Sequence, residues 1–527
     1  MQDDSFIQAI LAAPNDDAPR LIYADWLDEQ GHGPRAEFIR LQCRLAETPE
    51  DDPQYDSLRD AEWTLLAEHG PEWASRLTSA GFGDREPGSL KYRFRRGLLE
   101  HVEVRGDAAA GRLAELFAAA PSLTSLAVRA EPALSGDPKS IVAELIKEPR
   151  AARLTALAVG GLKPPSLREL LESRLAQNLR SLDLSHGDLG GPGLQLLAHA
   201  EGLRKLERLV LDDVARNTPL VRPAVAALGD SEVLRNLRSL TISQNFLSDD
   251  TAVLLLRSRL TQRLEELNLA ANEISDVVLA SASLRASVPE LRSLNLSARY
   301  RTGLTAAERL TAEGVHDALR WAPGLERLDL SGHRFEWAGA VVLAEEAPES
   351  LRELNLNGCE IGDRGAIALA ESPRLARLRR LDLAEQMNFG RMQLHDSITQ
   401  AGAEAIAASE SLAGLRELNL QGAQLGDAGV AALAESRLLR HLRELNLTRT
   451  QMRSAGLQSL AKSSNFAGLR VLRMYSNGPF DVKALEALLV STTLENLHSL
   501  GVGGNDFERR DSSRYLLKAF AERVHFL

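Results

Sequence analysis

Leu351-Arg352-Glu353-Leu354-Asn355-Leu356, followed by Ile361-Gly362-Asp363-Arg364-Gly365-Ala366-Ile367-Ala368-Leu369-Ala370, is the stretch that decides the fold. In the first part, apolar 354 and 356 alternate with polar 353, 355 and 357. That period of two is the pattern of a short strand buried on one face. In the second part, Ile361, Ile367 and Leu369 with the alanines supply an amphipathic helix, and Asp363 is placed to cap its start. The units at 415 (Leu425, Gly426, Asp427, Gly429, Val430, Leu433) and 237 (Leu247, Asp249, Val253, Leu254) repeat the pair.

Working outward, Leu-x-x-Leu-x-Leu, with Val, Ile or Met sometimes in the last slot, recurs from Leu123 to Leu497 in fourteen copies, with a degenerate one at Leu99. Six of the thirteen spacings are 27 residues, which chance does not give. A strand–helix unit of that length cannot bury its own apolar stripe, but stacked copies can. The strands then join a parallel sheet with the helices on its other side. Helices are wider than strands, so the stack must curve with the sheet inside. Fifteen strands at about 4.8 Å give an inner arc of roughly 70 Å.

These units resemble leucine-rich repeats of the ribonuclease-inhibitor type over about residues 98–505. The resemblance implies an α/β leucine-rich-repeat solenoid, a horseshoe with a parallel β-sheet on the concave face and helices on the convex face. The family's Asn/Cys position falls nine residues into each unit. Asn245, Asn272, Cys359, Asn477 and Asn505 match it, whereas Gly187, Arg299, His333, Gln386, Ala423 and Thr450 do not. The buried ladder from side chains to backbone is therefore expected to break in many turns. Cys359 is read as a ladder member, not as a nucleophile.

Residues 1–48 read as three short helices forming an α-helical N-terminal domain, with Asp3 or Asp4 capping the first. Pro19 and Pro34 open the second and third. Leu21, Ile22, Trp26 and Leu27 are expected to face Phe38, Ile39 and Leu41. The stretches Arg20–Glu29 and Arg35–Gln42 resemble the bacterial repeat-companion domain, whose activity is not established. Residues 49–97 carry a helix around 54–69, a shorter one from Pro71 to Leu77, and a strand in Lys91-Tyr-Arg-Phe-Arg-Arg96. Together they form a linker and cap. Residues 506–527 form a closing helix and edge strand.

The formal charge is −11, and residues 1–97 alone carry −8. Neither part has the basic footprint of a nucleic-acid binder. Two cysteines exclude a disulfide framework and a Cys-rich zinc site. No secretory signal and no apolar run of membrane-spanning length is visible, so a cytoplasmic monomer is expected.

The concave face is read from the fifth residue of each unit. From Asn268 to Asn446 it is an unbroken Asn/Asp run that includes Asn355, Asp382 and Asn419. This is either a mildly acidic groove for a basic or backbone-rich partner, or an amide ladder that fixes strand register. Arg473 and Tyr475 add binding-type side chains, as do Arg208, Arg327 and Arg380 of the third column. Two long repeats carry insertions after their strands. Arg299, Tyr300 and Arg301 lie on one, and Met387, Phe389, Arg391 and Met392 on the other. Their aromatic, Met and Arg content suits a binding rim. Arginine fills the second position of five successive units, Arg352, Arg379, Arg416, Arg443 and Arg470. An exposed edge paired with Glu353, Glu417 and Glu444 is expected there rather than an anion-binding stripe. The residues spell no Walker loop, His-Glu-x-x-His, Cys-x-x-Cys or Gly-x-Ser-x-Gly. The expected function is a non-enzymatic protein–protein interaction scaffold with no cofactor or metal. Its partner is a protein, with no nucleic acid and no membrane involved. The alternative, by analogy with ribonuclease-inhibitor-like repeats, is a regulator of an enzyme.

Overall fold

The structure is a computed structural model that describes residues 2–49, 52, 54–82, 91–129, 138–272, 274–283, 288–298, 310–385, 397–494, 496–505 and 525–526. The chain forms two compact units, Met1–Leu237 and Arg238–Leu527.

The first unit opens with helices α1 (Gln2–Ala12), α2 (Ala18–Glu29), α3 (Gly33–Glu47) and α4 (Tyr55–Trp73). Ile10, Tyr23, Ala24, Leu27, Ala36, Ile39 and Cys43 make the core of the first three, and Leu98 joins it from the sheet. The expected inner face of α2 needs correction. Leu21 and Ile22 are 40% and 58% exposed, while Arg20, Tyr23, Ala24 and Leu27 are buried. The spacing 20, 23, 24, 27 is one helical stripe, and Leu21 and Ile22 fall off it. The break expected before Pro71 is also absent. Pro71 lies inside the last turn of α4, which runs on to Trp73 before a short helix at Ser75–Ser79.

Strand β1 (Lys91–Arg95) pairs antiparallel with β2 (Leu98–Arg105), as the alternation of Tyr92 and Phe94 with basic residues suggests. Strands β3 (Ser125–Arg129), β4 (Ala156–Val159), β5 (Ser181–Asp183) and β6 (Arg208–Val210) continue the sheet in parallel. The β1–β2 turn seats directly on α3. Gly97 has φ +84, and a Cβ there would lie 2.7 Å from the Ile39 Cα. Arg20 reaches Glu100 at 2.8 Å, Arg96 reaches Asp17 at 2.7 Å, and the Gly97 N–H donates to the Gln42 Oε1 at 2.6 Å.

The second unit contains β7 (Ser239–Thr241), β8 (Glu266–Asn268), β9 (Ser293–Asn295), β10 (Arg327–Asp329), β11 (Glu353–Asn355), β12 (Arg380–Asp382), β13 (Glu417–Asn419), β14 (Glu444–Asn446), β15 (Val471–Arg473), β16 (Ser499–Gly501) and β17 (His525–Phe526). Each strand is parallel to the next, and through β16 the central leucines stay in register. The leucines of this column from Leu240 to Leu500 are buried. Helices such as Gly362–Glu371 and Gly426–Glu435 pack on the other side of the sheet, where the apolar period places them. The fold is an α/β leucine-rich-repeat solenoid with an N-terminal helical region.

Two expectations about the repeat change in detail. Asp363 does not cap its own helix. Its carboxylate accepts from the Thr399 N–H at 2.7 Å, the Thr399 hydroxyl at 2.6 Å and the Gly402 N–H at 2.8 Å. Those groups open the next helix, Gln400–Ala408. Asp276 serves Thr311 in the same way, and Asp427 serves Arg453 and Gly456. The capping group thus comes from the preceding repeat and ties neighbours together.

The buried ladder is also more complete than the Asn/Cys count suggests. Asn272 accepts from the N–H groups of Asn245 and Leu247 and donates to the Ile242 and Leu269 carbonyls. Asn477 repeats that pattern with Thr450, Met452, Leu447 and Met474. The Cys359 thiol donates to the Leu330 carbonyl at 3.2 Å. His333 and Thr450 fill the position as well. The Leu310 N–H donates to the His333 Nδ1 at 3.1 Å, so Nε2 carries the proton and donates to the Leu296 carbonyl at 2.7 Å. The Thr450 hydroxyl donates to the Leu447 carbonyl at 2.8 Å. At Gly187 a Cβ would stand 2.6 Å from the Leu162 carbonyl oxygen, so that turn leaves no room for a side chain. Arg299 and Gln386 lie outside the described residues.

Candidate partner-binding surface

A strand of period two turns its third and fifth residues to the same side. In the second unit they line a groove of about 410 Å³ across β9–β15. Asn355, Asp382, Asn419, Asn446 and Arg473 come together there, with Arg327, Glu353, Arg380, Glu417 and Glu444 beside them. Tyr475 lies two residues beyond Arg473. Its ring covers the next strand, so that a Cβ on Gly501 would fall inside the ring's contact distance. The absence of a side chain at Gly501 leaves room for this ring.

The Asn/Asp run has a structural duty. Each Oδ1 accepts the backbone N–H two residues on: Asn295 from Ser297 (2.8 Å), Asp329 from Ser331 (2.9 Å), Asn355 from Asn357 (3.0 Å) and Asp382 from Ala384 (2.9 Å). Asn419 and Asn446 do the same. This local bond ends the strand after three residues and turns the chain toward its helix. The amides also bridge strands, Asn355 to Asp329 at 3.0 Å and Asn419 to Asp382 at 2.9 Å. Burial nevertheless raises the pKa of Asp382, against the bonds from Ala384 and Asn419.

The third column carries the charge. Arg327 pairs with Glu266 at 2.8 Å, Arg380 with Glu417 at 2.7 Å and Glu353 at 3.7 Å, and Arg473 with Glu444 at 3.1 Å. Burial, and then the carboxylates of Glu444 and Glu353, push the Glu417 pKa up against Arg380. The expectation that Glu353, Glu417 and Glu444 pair with the second-column arginines is therefore corrected. Adjacent residues of a strand point apart, so these glutamates turn into the groove. The same period of two, applied to the third column, identifies them as groove residues from sequence.

The rim residues Arg299, Tyr300, Arg301, Met387, Phe389, Arg391 and Met392 lie outside the described residues. So does the closing helix expected around Tyr515–Phe520. The two thiols are unsuited to nucleophilic work. Burial raises Cys43 to about 12 and lifts Cys359 well above the usual thiol value. Among the described residues no cluster of three His, Cys, Asp or Glu side chains could hold a metal ion. Among them, too, no helix is long and apolar enough to cross a membrane.

A family model described as leucine-rich repeat matches residues 176–198, 347–370, 415–434 and 439–461. The chain thus carries leucine-rich repeats, in agreement with its period and its parallel ladder. Among curated protein sequences none matches it. Among solved structures it is similar to the Rad7 and Elc1 complex of yeast, at 19% identity and a TM-score of 0.46, over 66% of this chain and 81% of that one. It is also similar to the leucine-rich repeat protein LIC12759 of Leptospira interrogans, at 17% identity and a TM-score of 0.37, over 86% of this chain and 98% of that one.

Proposed function

We propose that this protein is a non-enzymatic protein-interaction scaffold whose groove on β9–β15 receives a partner segment. The carrying observation is the groove itself, seven adjacent strands that present charged and amide side chains held by bonds between neighbouring repeats. Groups fixed before binding lose little freedom on contact. The lining has five carboxylates (Asp329, Asp382, Glu353, Glu417, Glu444) against three arginines (Arg327, Arg380, Arg473). A basic or backbone-rich segment suits that balance. The proposal extends to the rim residues Arg299, Tyr300, Arg301, Met387, Phe389, Arg391 and Met392 as further contacts, and to a cytoplasmic monomer. It reads residues 1–48 as a repeat-companion domain on the strength of the sequence.

Affinity capture from the native host, followed by identification of the partner, tests it. Arg473→Ala with Tyr475→Ala is expected to weaken the captured complex roughly tenfold or more, as loss of an Arg or Tyr anchor does. Tyr300→Ala, Phe389→Ala and Arg391→Ala together are expected to weaken it while the urea midpoint stays the same. Unchanged affinity in both sets would remove groove and rim from the reading.

A further inference from the structure

The second residues of successive units stack in register along the edge where the chain enters the strands. The Arg379 N–H donates to the Arg352 carbonyl at 2.7 Å, Arg416 to Arg379 at 2.8 Å, Arg443 to Arg416 at 2.7 Å, and Arg470 to Arg443 at 2.8 Å. Earlier in the same column the signs alternate, as Arg238, Glu265, Arg292 and Glu326. Neighbours there pair, Arg238 with Glu265 at 3.7 Å and Arg292 with Glu326 at 4.0 Å. From 352 onward the alternation stops, and five arginines follow one another at about 4.8 Å per strand.

The segments leading into β12 and β14 add exposed Arg374, Arg377, Arg437, Arg440 and His441 to this edge. His441 registers the result: burial lowers its pKa, and Arg440, Arg443, Arg379 and Arg416 lower it further. Two of the stacked guanidiniums are braced, Arg379 on the Gly414 carbonyl at 3.0 Å and Arg443 on the Gly468 carbonyl at 2.9 Å. Like charges on neighbouring strands oppose folding. A run of one sign along an edge is the electrostatic complement of an acidic segment.

We propose that this arginine edge docks an acidic helical segment of a protein partner, laid across β11–β15 with one carboxylate per turn over one arginine per strand. A helix advances about 5.4 Å per turn, close to the about 4.8 Å between strands, and flexible side chains absorb the difference over five strands. The planar guanidinium fork matches a carboxylate in geometry as well as sign. The inference rests on the scaffold reading but uses a surface separate from the groove.

The test titrates the full chain with a synthetic helical peptide bearing one glutamate per turn along a single face. Comparison probes are a scrambled peptide of the same composition and a short DNA duplex. The facial peptide is expected to bind roughly tenfold more tightly than the scrambled one, and to weaken as salt is raised. Arg437→Glu with Arg440→Glu, both exposed, should abolish that advantage with the melting temperature unchanged. Arg238→Gln, in the alternating part of the column, should preserve it. Equal binding of the two peptides, tighter binding of the duplex, or indifference to the double variant each overturns the proposal. If edge variants fail while groove variants still weaken the captured complex, only the edge reading falls. If neither set matters, the scaffold reading falls with it.

Discussion

Glu385 shows what a repeat interior does to a single carboxyl. Its oxygens accept the Ile398 N–H at 2.5 Å and the Ser397 hydroxyl. Burial still raises its pKa from 4.5 to about 7, with Asp363 and Glu360 adding to the rise. Between those values the folded chain holds a proton that the unfolded chain has released. The stability tied to this group is complete below about 4.5 and is lost as pH rises through about 7. Urea unfolding is expected to show a decline on the order of 1–3 kcal/mol between about pH 5 and pH 8. Glu385→Gln should remove that part of the decline. Asp363 gives the complementary case, in which one carboxylate serves three donors of the next repeat. Asp363→Ala is expected to cost about 1–2 kcal/mol in the same measurement. A loss confined to the scale of a surface carboxylate would show that the shared cap carries no stability.

Among the elements, α2 is tied to β2 by one buried pair. Arg20 and Glu100 meet at 2.8 Å, with side chains 1% and 8% exposed. Burial raises the Glu100 pKa even so, against the pull of Arg20. Such a pair adds little over an apolar replacement, but losing one partner strands a buried charge. Arg20→Met is therefore expected to cost about 3–5 kcal/mol in urea unfolding, and Arg20→Met with Glu100→Leu clearly less. Equal losses in single and double variants would refute the argument. The same helix shows how far the period can be read. Its stripe of Arg20, Tyr23, Ala24 and Leu27 includes an arginine, so a search for apolar residues alone selects Leu21 and Ile22 instead.

Across the whole chain, stability is a sum of repeats and the contacts between neighbours. Leu418 stands in the buried leucine column between β12 and β14. Leu418→Ala is expected to cost about 2–5 kcal/mol, measured by urea unfolding. Asn419→Ala, one residue on and facing the groove, is expected to cost about 1 kcal/mol through its bonds to Gln421 and Asp382. A reversed order would contradict the division between buried column and open face. The groove belongs to this scale too, since no single repeat forms it.

The amino-acid sequence by itself determined the repeat, its strand and helix halves, the parallel register and the open-face column, because a period of two and a spacing of 27 are properties of the chain alone. Partner choice was not legible in it. Whether Glu353 pairs with Arg352 or Arg380, whether Asp363 caps its own helix or the next, and whether His333 can stand where Asn is usual all depend on neighbours one repeat away. Those neighbours are 25 to 39 residues distant in sequence but in hydrogen-bond contact in space. Only the tertiary structure decided them, because a side chain bonds whatever stacking brings within reach.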